Sequence, residues 1–179
     1  MKPDLFWIPG PWQGRLAVAA RPRGGDWLQD EVAAWRTAGI GVVVSLLENE
    51  EAAQLDLAQE GSAVQSAGMR FMWFPIPDRG FPTSTRQALS QLGNIAAALE
   101  EGQDVAIHCR QGIGRSGLVA ASLLVISGAS IEKAIEAVSA ARGLRIPETP
   151  EQLEWIKHLP SEKLVPARRS LEPKEFSIS

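Results

Sequence analysis

Two spacings of apolar residues alternate along the chain. Short, unbroken apolar runs are separated by longer segments in which apolar residues return every three or four positions. Gly41–Leu47 (GVVVSLL) is β-branched and continuous, the pattern of a strand buried on both faces. Asp104–His108 (DVAIH) and Met69–Phe74 read as further strands, the latter broken by Pro75-Ile76-Pro77. Leu5–Ile8 and Arg15–Ala19 form a pair of short strands around the turn signal Pro9-Gly10-Pro11. The helical segments run from Asp26 to Ala38, Glu50 to Ala58, Ser84 to Glu101, Ser116 to Ile126 and Ile131 to Arg142. Asp26 with Gln29 reads as a capping box, and Gly39 as the stop of that helix. Ser84 with Gln87 caps the long helix. A last helix starts at Thr149, with Pro150 in its first position and Gln152 closing a box.

Strands alternating with helices predict an α/β fold with a mostly parallel central sheet of about four to five strands and helices on both faces. Sheets of this kind place ligand sites beyond the carboxyl ends of their strands. The segment directly after Asp104–His108 is therefore the first place to look. Residues 1–159 are expected to form one domain. Residues 160–179 are polar and aperiodic, and are expected to be a flexible tail.

Composition narrows the function classes. The 179 residues are 45% hydrophobic and 22% charged, ordinary for a soluble globular chain. The net charge of -3 argues against a nucleic-acid partner. The N-terminus carries no charged region followed by an apolar run, so no signal peptide is expected. The apolar stretch Leu118–Ile126 is too short to cross a bilayer. A cytoplasmic location without a membrane partner is the expectation. The one cysteine can form no intrachain disulfide, and with two histidines it cannot make a Cys-rich zinc site.

That cysteine stands in the segment already singled out, His108-Cys109-Arg110-Gln111-Gly112-Ile113-Gly114-Arg115-Ser116-Gly117. A short glycine-bearing turn lets successive backbone N–H groups converge into an anion nest. The following helix adds its N-terminal amides and dipole. Arg115 supplies a planar fork for a phosphate or carboxylate, a geometry that lysine lacks. Cys109, at the base of so positive a site, is favoured as the thiolate and can attack phosphorus to form a phosphocysteine. Ser116 can donate a hydrogen bond to the sulfur and help it leave. Gly112, Gly114 and Gly117 also match the dinucleotide fingerprint. The expected acid about 20 residues on is missing from a strand end, and the fingerprint gives Cys109 and Arg115 no role. The oxygen released opposite Cys109 needs a proton, and Asp78, just after a strand in Phe74-Pro75-Ile76-Pro77-Asp78-Arg79-Gly80, is the candidate acid. His108 is expected to orient the loop. His158 has no partner in sequence and is expected to be solvated.

The stretch HCRQGIGRSG resembles the signature loop of the protein-tyrosine phosphatase superfamily. FPIPDRGFP resembles the acid loop of its dual-specificity and kinase-associated phosphatase branch, and Arg142–Arg145 with Glu148–Gln152 resembles that branch's segment after the signature helices. The resemblance implies a phosphatase-type fold and a cysteine-dependent phosphomonoester hydrolase. It implies Cys109 as nucleophile, Arg115 as phosphate clamp, Ser116 assisting phosphocysteine breakdown, and Asp78 as general acid and then base. Phosphate is held by the loop of Arg110, Gln111, Gly112, Ile113, Gly114 and Arg115. It implies no metal and no other cofactor, and a phosphorylated protein or other phosphomonoester as partner. Gln152 falls near a water-orienting glutamine of some relatives, and a capping role explains it as well. The chain has no tyrosine, hence no tyrosine-bearing loop to deepen the pocket, so phosphoserine and phosphothreonine join phosphotyrosine as expected substrates. Three alternatives share the loop: a phosphatase of inositol phosphates, phospholipid head groups or RNA 5′ triphosphates; a rhodanese-type sulfurtransferase; and a phosphate-reading module without turnover.

Overall fold

A computed structural model describes residues 2–160; Met1 and residues 161–179 lie outside the described residues, and with them nearly all of the expected tail. Five strands form one sheet: β1 (Leu5–Ile8), β2 (Leu16–Ala19), β3 (Ile40–Ser45), β4 (Arg70–Trp73) and β5 (Asp104–His108). Their order is β1-β2-β5-β3-β4. Only β1 is antiparallel; β2, β3 and β4 all run parallel to the central β5. The helices are α1 (Leu28–Thr37), α2 (Asn49–Gln54), α3 (Glu60–Ser66), α4 (Thr85–Glu100), α5 (Gly114–Ile126), α6 (Ile131–Arg142) and α7 (Pro150–Lys157).

The sheet divides the apolar residues into two cores because side chains alternate along a strand. Val105, Ile107 and Cys109 face the larger core, built with α4, α5, α6 and α7. Ala106 faces the smaller one, with Leu28, Val32 and Trp35 of α1 and Ala63 and Val64 of α3. His108 follows the parity of Ala106, so its ring lies on the α1 and α3 side, while Cys109 lies on the other. α5 is buried along its whole length. Such a helix, apolar on every side beyond its first turn except at Ser122, is stable only inside a layer, sandwiched between sheet and outer helices.

Three expectations from the sequence need correction. No capping box forms at Asp26: Gly25–Trp27 is a separate 3-10 turn, and α1 starts at Leu28 without a side-chain cap. Gly25, at φ +59, and its N–H bond to the Asp56 carbonyl (3.1 Å) turn the chain there. The helix expected over Glu50–Ala58 ends at Gln54, because Asp56 adopts φ +55 and returns the chain so that Leu57 is buried. A separate helix, α3, follows. Finally, α5 begins at Gly114 rather than Ser116, which places Arg115 and Ser116 in its first turn. The caps at Ser84 and Thr149 form, the second as a full box with Gln152 and Pro150.

Candidate active site

Three parallel strands end side by side, and each delivers one part of the site. β5 delivers Cys109. β3 leads into α2 and its Glu51. β4 leads into the segment carrying Asp78. The ladder continues past the strands through Leu46 N–H to His108 O (3.0 Å), Phe74 N–H to Ser45 O (2.9 Å) and Ile76 N–H to Leu46 O (3.1 Å). The loop positions are thereby fixed by backbone, not by side chains alone.

The Cys109 loop turns at Gly112, with φ +67 and its Cα against the Ala19 carbonyl, where a Cβ would collide. Arg142 of α6 donates through Nε to the Gly112 carbonyl (2.7 Å), and its guanidinium stacks 3.8 Å over the Phe6 ring. Cys109 Sγ lies 3.5 Å from Ser116 Oγ. Burial alone would raise its pKa. Hydrogen bonds from the Ser116 hydroxyl and from the Ser116 and Ile113 amides, with the charge of Arg115, outweigh this and bring the thiol below its ordinary range.

Arg115 is 2% exposed and spends one edge of its fork on Glu51: Nη1 to Oε2 and Nη2 to Oε1, both 2.8 Å. Nη1 also donates to the carbonyls of Ile76 (3.1 Å) and Leu46 (3.4 Å). Nη2 lies 3.2 Å from Asp78 Oδ1. Among the described residues Nε makes no hydrogen bond. The Nε–Nη2 edge is thus the one left for an incoming oxyanion, and Asp78 sits at its border. Glu51 also accepts from Arg110 Nε at 3.2 Å. These two arginines, Arg115 foremost, hold the Glu51 carboxylate below its usual pKa against the effect of burial.

Cys109, Arg110, Gln111, Ile113, Gly114, Arg115, Asp78, Arg79 and Glu148 line a cavity of about 250 Å³. All the expected loop residues except Gly112, which turns the backbone, therefore reach one pocket. Asp78 is well exposed at its mouth, its side chain 62% accessible. Its neighbour Arg79 takes φ +57. Gln152 does not face the pocket. Its Oε1 accepts from the amides of Glu148 (3.1 Å) and Thr149 (3.3 Å), and its Nε2 donates to the Gly80 carbonyl (3.0 Å). Buried, it ties the start of α7 to the Asp78 segment. His158 is exposed, its Nδ1 2.7 Å from the Glu154 carbonyl.

Glu51, Glu60 and Glu148 were not legible as site residues. Glu51 and Glu60 look like solvated charges in helical sequence, and only the fold brings them to Arg115 and His108. Glu148 lies inside the third motif, and its carboxylate packs so close to Gly114 that a Cβ there would meet it. Among the described residues no cluster of three metal-ligating side chains occurs, and no helix is long and apolar enough to cross a membrane.

A cysteine at a strand end, an amide-lined turn at a helix N-terminus and a buried arginine fork define a thiol-based site that can take an oxyanion. Known proteins share this sequence and fold. The family described as polymorphic toxin system, DSP-PTPase phosphatase, matches residues 17–129. A protein of Invertebrate iridescent virus 6 named as a tyrosine phosphatase, 197R, is 30% identical over 159 residues; the match covers 86% of this chain and 56% of the viral protein, so the chain spans little more than half of that relative. The solved structure of Tk-PTP in its active form is 34% identical, with a TM-score of 0.71, 88% of this chain and 96% of that chain being covered. The kinase-associated phosphatase KAP, with its catalytic-site cysteine replaced by serine, has the same fold: TM-score 0.79 at 21% identity, over 87% of this chain and 93% of KAP. The chain belongs to the DSP-PTPase phosphatase family.

Proposed function

We propose that the protein hydrolyses phosphomonoesters through a phosphocysteine at Cys109, acting on phosphotyrosine and on phosphoserine or phosphothreonine in proteins. The observation that carries the reading is the placement of Cys109 Sγ beside Ser116 Oγ in a pocket that Arg115 also lines. The thiolate attacks phosphorus in line. Arg115 and the loop amides, Arg110 to Arg115, hold the equatorial oxygens, whose charge grows in the transition state. Asp78 gives its proton to the departing oxygen and then takes one from the attacking water. Ser116 stabilises the sulfur as it leaves in the second step. Gln152, bonded to the Gly80 carbonyl and to the Glu148 and Thr149 amides, is a positioning residue and does not orient the water. A lone cysteine that works as a thiolate fits a reducing cytoplasm.

One observation favours a second source for the proton. Glu148 lines the same cavity as Cys109 and Asp78, and the Asp78 carboxylate lies 3.2 Å from Arg115 Nη2. Kinetics of Asp78→Asn and Glu148→Gln separate the two. The acid's loss costs on the order of a hundredfold with a phosphopeptide, whose leaving group is basic, and clearly less with an activated aryl phosphate. It also flattens the alkaline limb of the pH profile. If Asp78→Asn leaves both substrates untouched and Glu148→Gln shows this signature, Glu148 is the acid.

Turnover of an aryl phosphate, blocked by vanadate and absent in Cys109→Ser, is the expected result for the reading as a whole. Sulfur transfer from thiosulfate with no phosphate release would replace it by the sulfurtransferase. Binding of phosphate without release would replace it by a reading module.

A further inference from the structure

Beneath the pocket, on the opposite face of the sheet, lies a pair of ionisable side chains for which the mechanism above has no use. His108 is fully buried, and its Nε2 stands 2.7 Å from Oε1 of Glu60, itself 2% exposed. The contact does not meet the alignment of a hydrogen bond, and neither atom has another hydrogen-bond partner among the described residues. The other ring nitrogen, Nδ1, is 3.3 Å from the carbonyl oxygen of Cys109. The ring packs at 5.7 Å between centroids on Trp35 of α1. Ala19 of β2 and Ser45 of β3 flank His108 in the sheet. Glu60 meets the ring from α3 at contact distance, while the Cys109 side chain lies on the other face of the sheet.

We propose that Glu60 is a positioning residue for the nucleophile, holding His108 as an imidazolium whose charge and Nδ1–H act on Cys109.

The Cys109 carbonyl is an acceptor, so Nδ1 must carry hydrogen. The remaining proton of the pair then belongs either to Nε2 or to the Glu60 carboxyl. Histidine is intrinsically the stronger base by about two pKa units, so the ionised pair is preferred. A buried charge persists only when paired, and here the pairing is at contact distance. Burial pulls the His108 pKa down, but the Glu60 carboxylate and the Cys109 carbonyl more than reverse this, and the histidine ends above its ordinary value. Chain parity orients the pair. The positive ring belongs to the residue next to Cys109, and the negative carboxylate sits farther off on α3. The pair thus presents its positive end to the thiolate, and the influence is reciprocal. The inference rests on Cys109 as nucleophile, but its test reads the thiol and the imidazole directly and needs no turnover.

The composition makes both readouts clean, since the chain holds one cysteine and two histidines. Glu60→Gln keeps the shape and removes the charge. The midpoint of the pH dependence of iodoacetamide alkylation should rise by about half a unit or more, as expected for loss of an oriented charge pair at this range. The acidic limb of kcat/KM should move with it. In a His108→Gln background the same substitution should give no further shift. In the wild type, the nitrogen-15 resonances of the buried histidine should report an imidazolium at pH 7, which requires no variant to fold. An unmoved alkylation midpoint in folded Glu60→Gln, a shift that survives without His108, or a neutral buried imidazole at pH 7 would each overturn the proposal.

Discussion

At the scale of single residues, the site depends on which edge of Arg115 is committed. Glu51 takes the Nη1–Nη2 edge with two 2.8 Å contacts and leaves the other edge to the ligand. Arg115→Lys should therefore behave almost as badly as Arg115→Ala, because a point charge cannot satisfy Glu51 and phosphate at once. Glu51→Gln tests the frame itself. It leaves the arginine in place but lets the fork turn, and a misplacement of this kind costs on the order of ten- to a hundredfold in kcat/KM. Vanadate affinity should fall in parallel, since the ligand-facing edge is no longer fixed. Unchanged vanadate affinity would remove Glu51 from this role. Cys109, Arg115 and Ser116 were legible in sequence because their spacing is itself the chemistry: the turn that gathers amides also sets the offset to the arginine. Glu51 was not, because a carboxylate in an exposed-looking helix says nothing about which arginine the fold will bring to it.

Elements explain why the local readings succeeded or failed. The caps at Ser84 and Thr149 form as read, because each is a bond within four residues, whereas at Asp26 the Gly25 turn moves the helix start to Leu28 and the cap is lost. The end of α2 could not be read from periodicity, because the turn at Asp56 is imposed by the burial of Leu57 and by the Gly24–Gly25 backbone packed on it. The same limit applies to Gln152. Its capping box was legible, but its bond to the Gly80 carbonyl crosses from α7 to the Asp78 segment and exists only in the fold. Gln152→Ala should act twice. Loss of the Gln152 side-chain bonds to the Glu148 and Thr149 amides should cost about 1 kcal/mol, visible as a lower Tm. Release of Gly80 should slow phosphopeptide turnover more than turnover of an activated aryl phosphate, because the loosened loop carries the acid. Equal loss on both substrates would mean that the contact only stabilises.

For the whole molecule, the parallel sheet was legible from its continuous apolar strands, and its order places β5 at the centre, with the site at the carboxyl ends. Charge buried there couples stability to pH. Glu51 is held below its usual carboxylate pKa by Arg115. A group depressed in this way contributes stability that is present above its unfolded pKa and lost as pH falls through its folded one. The protein should therefore lose thermal stability on the acid side, below the ordinary glutamate range, and Glu51→Gln should blunt that part of the curve. An identical acid limb in the variant would contradict the assignment. The depressed thiol pKa of Cys109 has a further consequence. Mild peroxide should inactivate the enzyme, with phosphate or vanadate protecting it, because the thiolate oxidises first to the sulfenic acid. With one cysteine in the chain, no internal disulfide can rescue it.

The central claim is the covalent intermediate. Rapid acid quench during turnover of an isotopically labelled phosphomonoester, followed by peptide mapping, tests it directly. The label should be found on Cys109, appearing in a burst before steady state and lost in Cys109→Ser together with turnover. Steady phosphate release from the wild type with no labelled cysteine, or undiminished release by Cys109→Ser, would contradict it.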